Sequence, residues 1–317
     1  MRERNTTGRF RFDEARYYRF GVGLGIANLV RNKGRLGLRK TLGKILQPIN
    51  SYTRFPEYQF IDEGIRQCLL RFPQGVRPKI LDIGSPKCMG LYLANCLDAE
   101  VHLTDIDKAS VEEAKVLWRA ILAGARGNAL HSIQDGRSLQ YPNQEFDVVF
   151  SMSVIEHVGG SSGDAEVIRE AIRVLKPGGI LLITVPIGQK YVEQEIVGFE
   201  GAARSTGDRS SYFFQRIYSP DAVTDRIIAR AKGATLRKVV TICRSEGIVA
   251  GSYKKLGMNV RGMLGFLNPY LSATVNHAVP GVTAAPSRYG SVHSASDVYG
   301  DLLLAWEKDG VEIRSID

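Results

Sequence analysis

Residues 79–84 read Lys-Ile-Leu-Asp-Ile-Gly, and residues 173–185 read Arg-Val-Leu-Lys-Pro-Gly-Gly-Ile-Leu-Leu-Ile-Thr-Val. In the first phrase a short apolar run delivers a carboxylate, Asp82, and a flexible glycine, Gly84, to the end of a buried strand. The carboxyl ends of strands are where open α/β sheets bind their ligands. In the second phrase, Lys176-Pro177-Gly178-Gly179 stops a helix and turns the chain into another strand.

Outward from these two phrases the chain alternates. Strands are expected at 79–83, 100–104, 129–134, 146–150 and 180–185, and apolar residues recur at helical spacing over 111–122 and 164–175. A helix near 221–231 and a strand near 236–242 continue the rhythm, and 301–306 reads as a last strand. Alternation of this kind predicts a parallel sheet with helices on both faces. Residues 246–299 break it with scattered Gly, Ser and Ala and with Pro280 and Pro286, and long segments beside a site usually serve as lids or interaction surfaces. The expected organisation is an N-terminal segment over 1–54, a core over 55–245, an inserted segment over 246–299, and a final core strand with a tail over 300–317.

The net charge of +9 is confined to one end. Residues 1–54 hold 13 Lys or Arg against three acids, a net of +10, so the other 263 residues sum to −1. Any anion attracted by this basic end is an accessory partner rather than the ligand of the core. Within it, Leu38, Leu42, Ile45, Leu46 and Ile49 fall at helical spacing, with Arg35, Arg39, Lys40 and Lys44 between them. The pattern fits a helix packed on the core with a solvated basic face, a helix lying on an anionic membrane surface, or a contact with nucleic acid or protein. No apolar run reaches the length needed to span a bilayer. Cys68, Cys88, Cys96 and Cys243 have neither metal-ligand spacing nor disulfide density, which points to a reducing, cytoplasmic setting, with at most peripheral membrane contact.

Four phrases occur in order: Leu81-Asp82-Ile83-Gly84, Phe146-Asp147-Val148-Val149, Glu156-His157-Val158 and Leu175-Lys176-Pro177-Gly178-Gly179. In these the chain resembles the class I S-adenosylmethionine-dependent methyltransferases, in particular their small-molecule (type 11-like) branch. The resemblance implies a Rossmann-like sheet of seven mostly parallel strands whose last strand is antiparallel. It also implies S-adenosyl-L-methionine as cofactor. By resemblance, Asp82, Gly84 and Ser85 form the turn at the methionine end, Asp105 accepts from the ribose hydroxyls, and Ile106 lies against adenine. Asp135 would take the adenine amino group with Gly136 beside it, and Ser151 and Met152 would line the cofactor by backbone. Read without the family, Asp105 or Asp107 could equally cap the following helix, and Asp135-Gly136 is a turn dipeptide. Pro86 and Cys88 stand where many relatives carry glycine, and proline has no N–H to offer. G-x-G-x-x-G is absent, which argues against a dinucleotide and hydride transfer.

Past the fourth strand, His157 falls where an acceptor should approach, and neutral imidazole can take a hydroxyl proton near pH 7. A structural role against Glu156 is the alternative. Some relatives carry Glu-x-x-Glu-His here and bind a divalent metal; Ser153 replaces the first glutamate, so no metal is expected. Tyr191, Tyr212, Phe213, Phe214 and Tyr218 could wall an acceptor pocket or simply pack. The expected acceptor is a small molecule, a saccharide or a lipid-linked compound, methylated more readily at oxygen than nitrogen. The alternatives are an RNA or protein methyltransferase docking through residues 1–54, with nucleic acid the lesser candidate because Asn-Pro-Pro-Tyr is absent, or a non-catalytic relative of the same fold.

Overall fold

The computed structural model describes residues 15–32, 37–46, 48–49, 54–73, 75–197, 211–244, 264, 267–281 and 298–310. Its central strands are apolar on both faces, and strand parity sorts their side chains into two cores. In β1 (Lys79–Ile83), Ile80 joins one cluster while Leu81 and Ile83 join the other. In β4 (Phe146–Met152), Val148, Phe150 and Met152 face the first cluster and Val149 the second. In β5 (Leu175–Gly188), Leu182 and its neighbours Leu181 and Ile183 divide the same way.

Helices cover both faces. On the first lie α1 (Ala15–Arg31), α3 (Phe55–Leu69), α4 (Lys87–Cys96) and α5 (Lys108–Ile121), contributing Tyr17, Ile61, Leu91 and Leu117. On the second, α6 (Gly163–Val174) and α7 (Pro220–Arg226) contribute Ile168 and Val223. The strands β2 (Glu100–Asp105) and β3 (Asn128–Ile133) complete one side, and β8 (Ala234–Arg244), β9 (Asn276–Pro280) and β10 (Val298–Lys308) the other. The sheet order is β3-β2-β1-β4-β5-β10-β8-β9. Strands β1 to β5 pair in parallel, and β10 inserts antiparallel between β5 and β8.

The seven strands expected from the sequence are therefore all present, with β10 the antiparallel one. An eighth, β9, pairs with β8 at the edge and comes from the segment that broke the rhythm. Its five residues, Asn-His-Ala-Val-Pro, carry almost no strand signal, and the terminal Pro280 is tolerated because an edge strand need not donate outward. It follows α8 (Asn268–Val275) directly. The remainder of 246–299 lies outside the described residues.

The amphipathic helix near the N-terminus is α2 (Leu38–Leu46). Lys44 reaches Glu113 on α5 at 2.5 Å, Lys40 stays 69% exposed at 3.9 Å from the same carboxylate, and Leu38, Leu42 and Leu46 are exposed. Glu113 gives the lysines a partner on the domain, and the seam with α1 is filled by Thr41 and Ile45. α1 itself is anchored, since Tyr17 and Leu24 are buried in the first core.

Candidate functional site

Strand order reverses between β1 and β4, because β2 and β3 lie on one side of β1 and β5 on the far side of β4. Such a switch point opens a crevice at the carboxyl ends of the strands. A cleft of about 410 Å³ occupies it, within the size range of small-molecule sites. Of the residues singled out in the sequence, Gly84, Asp105, Ile106, Asp135, Gly136 and His157 line this cleft. Asp82, Ser85, Ser151 and Met152 are buried and do not line it.

These four hold the floor of the cleft. Ser85 N–H donates to Asp82 Oδ1 at 2.9 Å, Met152 N–H donates to Ser85 Oγ at 2.9 Å, and Ser151 Oγ donates to the Ile83 carbonyl at 3.1 Å. The turn at Gly84 has φ +72°, a left-handed conformation natural to glycine. Gly90 lets α4 lie close on β1 and β2, since a Cβ there would come within 2.8 Å of Asp82 Oδ2 and Leu103 Cδ2. Cys88 turns away from the cleft toward Tyr58 and Gly21, and burial pushes its thiol up to about 12. A side chain in place of that glycine therefore costs the cleft no space.

Asp82 Oδ2 is buried without a hydrogen-bond partner. Burial pushes the Asp82 carboxyl up to about 6, against the opposing pull of Lys87 and Ser85. Lys87 is a site residue the sequence reading missed. Its ammonium lies 2.8 Å from Asp105 Oδ2 and donates to the Thr104 carbonyl at 3.1 Å. The only available sequence signal was a cation inside the turn that follows Asp82-Ile83-Gly84. Asp105 Oδ1 accepts from Asp107 N–H at 2.9 Å, and Asp107 in turn caps α5 through Ala109 and Ser110 N–H. Asp135 is held bidentately by Arg137, whose Nη2 lies 2.6 Å from Oδ2. Ile106 is 65% exposed, an apolar side chain standing uncovered at the cleft.

On the acceptor side a polar cluster gathers that the sequence did not reveal, because its members come from four separate elements. Glu57, on α3, is buried and accepts from Ser153 Oγ and Thr184 Oγ1, both at 2.7 Å, while Arg54 Nη1 lies 3.3 Å from its Oε2. Ser153 has φ +50°, unusual for a residue with a side chain, and its N–H donates to the Thr184 carbonyl and hydroxyl at 3.1 and 3.0 Å. Strain of this kind persists only where the surroundings over-determine it. Glu57 thus brings from α3 a carboxylate to the spot where the local phrase has a serine. Among the described residues, no three His, Cys, Asp or Glu are grouped to hold a metal ion. Glu156 is buried with Oε2 unpartnered, and burial, with Glu57 and Asp301 nearby, pushes it up to about 8.

His157 sits in a short 3₁₀ turn, Ile155–His157, and is fixed from outside by a hairpin of β6 (Val192–Val197) and β7 (Ser211–Ile217). Its Nδ1 lies 2.7 Å from the Phe214 carbonyl, and a carbonyl can only accept. Nδ1 therefore carries the hydrogen, and in the neutral ring Nε2 carries the lone pair. Nε2 lies 3.8 Å from Glu156 Oε1. Partial burial lowers the imidazole's pKa below its ordinary 6.5, which favours the neutral ring at pH 7. The hairpin is locked by fully buried Arg216, whose guanidinium donates to the Val158 carbonyl at 2.6 Å and also to that of Gly160. Of the aromatics expected there, Tyr218 is buried and donates to Asp164, Phe213 lies under Arg216, and the Phe214 ring meets that of His157 at 5.1 Å. Packing rather than a pocket wall is the observed role of these three.

One feature of this cleft fits S-adenosylmethionine. Ile106 presents an uncovered apolar surface to a planar ring. Asp105 and Asp135 stand on the cleft wall, paired with Lys87 and Arg137 respectively.

A family model described as a methyltransferase domain matches residues 81–183. The chain is 28% identical over 173 residues to a ubiquinone biosynthesis O-methyltransferase of Mesorhizobium japonicum, covering 51% of this chain and 64% of that protein. It is 32% identical over 117 residues to 27-O-demethylrifamycin SV methyltransferase of Amycolatopsis mediterranei, covering 35% and 41%. It is also 32% identical over 97 residues to a tRNA (carboxymethyluridine(34)-5-O)-methyltransferase of Arabidopsis thaliana, covering 26% and 24%. The chain thus spans between about a quarter and two thirds of the length of these relatives. With its β1 turn, its β4 exit and its Lys-Pro-Gly-Gly turn all inside the matched span, residues 81–183 form an S-adenosylmethionine-dependent methyltransferase domain.

Proposed function

We propose that the protein methylates a hydroxyl group of a small molecule, saccharide or lipid-linked acceptor. When bound, S-adenosylmethionine supplies a methyl group already activated by its sulfonium leaving group. What remains for the chain is to hold the acceptor in line, exclude water and remove the hydroxyl proton. Asp105, Ile106 and Asp135 would hold the nucleoside end, and the turn at Gly84 and Ser85 the amino-acid end.

The observation that carries the oxygen reading is the tautomer of His157. With Nδ1–H committed to the Phe214 carbonyl, the lone pair of Nε2 is available on a residue lining the cleft. An alcohol holds its proton too tightly to lose it unaided at neutral pH, so a base at this place has a task. As the acceptor oxygen takes the methyl group, its proton passes to Nε2. The hairpin keeps the ring from turning, and the Glu156 carboxyl lies 3.8 Å from Nε2, beside the imidazolium so formed. The names of these three relatives describe O-methyl chemistry, which agrees with this reading.

The test is transfer of labelled methyl to a panel of phenols, saccharides and lipid-linked alcohols, with primary amines and bulk RNA as the other arms. Label on hydroxyl acceptors, lost in His157→Ala, is the expected result. Label on amines alone would overturn the oxygen reading. Label on RNA alone would favour the second reading, which similarity to a tRNA enzyme over 97 residues keeps in view.

A further inference from the structure

We propose that the α1–α2 hairpin lies flat on an anionic phospholipid bilayer. Among the described residues, six of the thirteen exposed large hydrophobic side chains belong to these two helices. They fall at helical spacing: Ile26, Leu29 and Val30 on α1, and Leu38, Leu42 and Leu46 on α2, the last three 65%, 43% and 45% exposed.

Both sets point the same way. The helices run antiparallel, because Gly21 meets Pro48, Gly25 meets Ile45, and Asn28 donates to Thr41 Oγ1 at 3.0 Å. The domain lies along one flank of the pair. On α1 that flank carries Leu24 and Arg31, whose guanidinium donates to the Ala120 carbonyl at 2.8 Å. On α2 it carries Lys40 and Lys44, 3.9 and 2.5 Å from Glu113. At about 100° per residue, the exposed apolar residues occupy the remaining third of each helix. In an antiparallel pair resting on a common base, those two thirds face outward on the same side. The result is a continuous apolar strip directed away from the domain.

Charge selects the occupant. The strip belongs to the one part of the chain that is basic, with 13 Lys or Arg against three acids over residues 1–54, whereas the rest of the chain sums to −1. Its apolar members are aliphatic, without the Trp or Tyr anchors that dominate protein hot spots. An aliphatic strip on a segment of net positive charge is what an in-plane helix presents to acyl chains and anionic headgroups. No described helix is long and apolar enough to cross a membrane, so the contact is peripheral.

Flotation of the full-length protein with vesicles tests this, using phosphatidylcholine alone and a three-to-one mixture with phosphatidylglycerol. Recovery is expected with the anionic vesicles at low salt and about tenfold less with neutral vesicles or in 0.5 M salt. Leu38→Ser/Leu42→Ser should lower recovery by about tenfold or more while melting temperature and cofactor affinity stay unchanged, because both side chains are already in solvent. Equal recovery on the two vesicle types would overturn the proposal. So would a variant that floats like the wild type, or a wild-type dimer in light scattering that the same substitutions dissolve while vesicles capture neither protein.

Discussion

Asp82→Asn should make the cofactor-free protein more stable. The folded state raises the proton affinity of Asp82 from its ordinary 3.8 to about 6, chiefly through burial. A carboxyl whose pKa is raised on folding contributes stability that is complete below its unfolded value, near pH 4, and is lost as pH climbs through 6. At about 1.4 kcal/mol for each tenfold change in proton affinity, the ionised group costs the fold about 3 kcal/mol above pH 7. Asparagine keeps the acceptor for Ser85 N–H but leaves an amide N–H₂ where Oδ2 has no partner, which returns about 1 kcal/mol of that gain. The net is about 2 kcal/mol, or about 4 °C in melting temperature for a chain of this size. Circular dichroism melts at pH 7.5 and pH 4.5 provide the assay. The variant should gain at pH 7.5 and lose its advantage at pH 4.5, where wild-type Asp82 is protonated. A variant that melts below the wild type at pH 7.5, or keeps a constant difference at both pH values, would refute the reasoning.

His157→Ala should lower the single-turnover rate on a hydroxyl acceptor by about 10²–10⁴-fold with cofactor affinity unchanged; a loss under about threefold would remove the base. In the wild type the acid limb of kcat/KM should fall below pH 6.5, because the imidazole's pKa is lowered and the ring must be neutral to act; a limb above that value would contradict the assignment. Glu57→Ala leaves Arg54 and two buried hydroxyls without their acceptor and should cost about 3–5 kcal/mol in urea unfolding. Glu57→Gln, which keeps an acceptor for both hydroxyls, should cost clearly less, and equal losses would show that the carboxylate's placement is incidental.

Much of this architecture can be read from local pattern. β1, β4 and β5 announce themselves because strands buried on both faces are continuous apolar runs, and the Lys176–Gly179 turn marks where α6 gives way to β5. Gly84, Asp105, Ile106 and Asp135 are legible for the same reason, since each stands at the end of a recognisable strand or within two positions of it, whereas His157 lies five positions past β4. What escaped depends on contacts between distant elements. Glu57 meets Ser153 across 96 positions of sequence and Thr184 across 127, so no window contains the cluster. Arg216 fixes the loop that carries His157 from a strand that reads only as a run of aromatics. The orientation of α2 was illegible for another reason: its apolar stripe looked like a core face, and the placement of Glu113 on α5 draws Lys44 toward the domain and leaves Leu38, Leu42 and Leu46 exposed.

Calorimetric titration of S-adenosylhomocysteine into the full-length protein and its Asp105→Ala variant tests the assignment of the cleft most directly. Asp105 is a carboxylate on the cleft wall, and on the proposed assignment its loss would leave ribose hydroxyls without a charged acceptor, worth about 1.5–3 kcal/mol, or about ten- to 150-fold in Kd. One ligand should bind per chain to the wild type, and the variant should weaken by that factor with its melting temperature in the absence of ligand little changed. Binding of equal strength to both proteins, or no heat with a folded wild type, would contradict the placement of the cofactor in the cleft at the β1–β4 switch point.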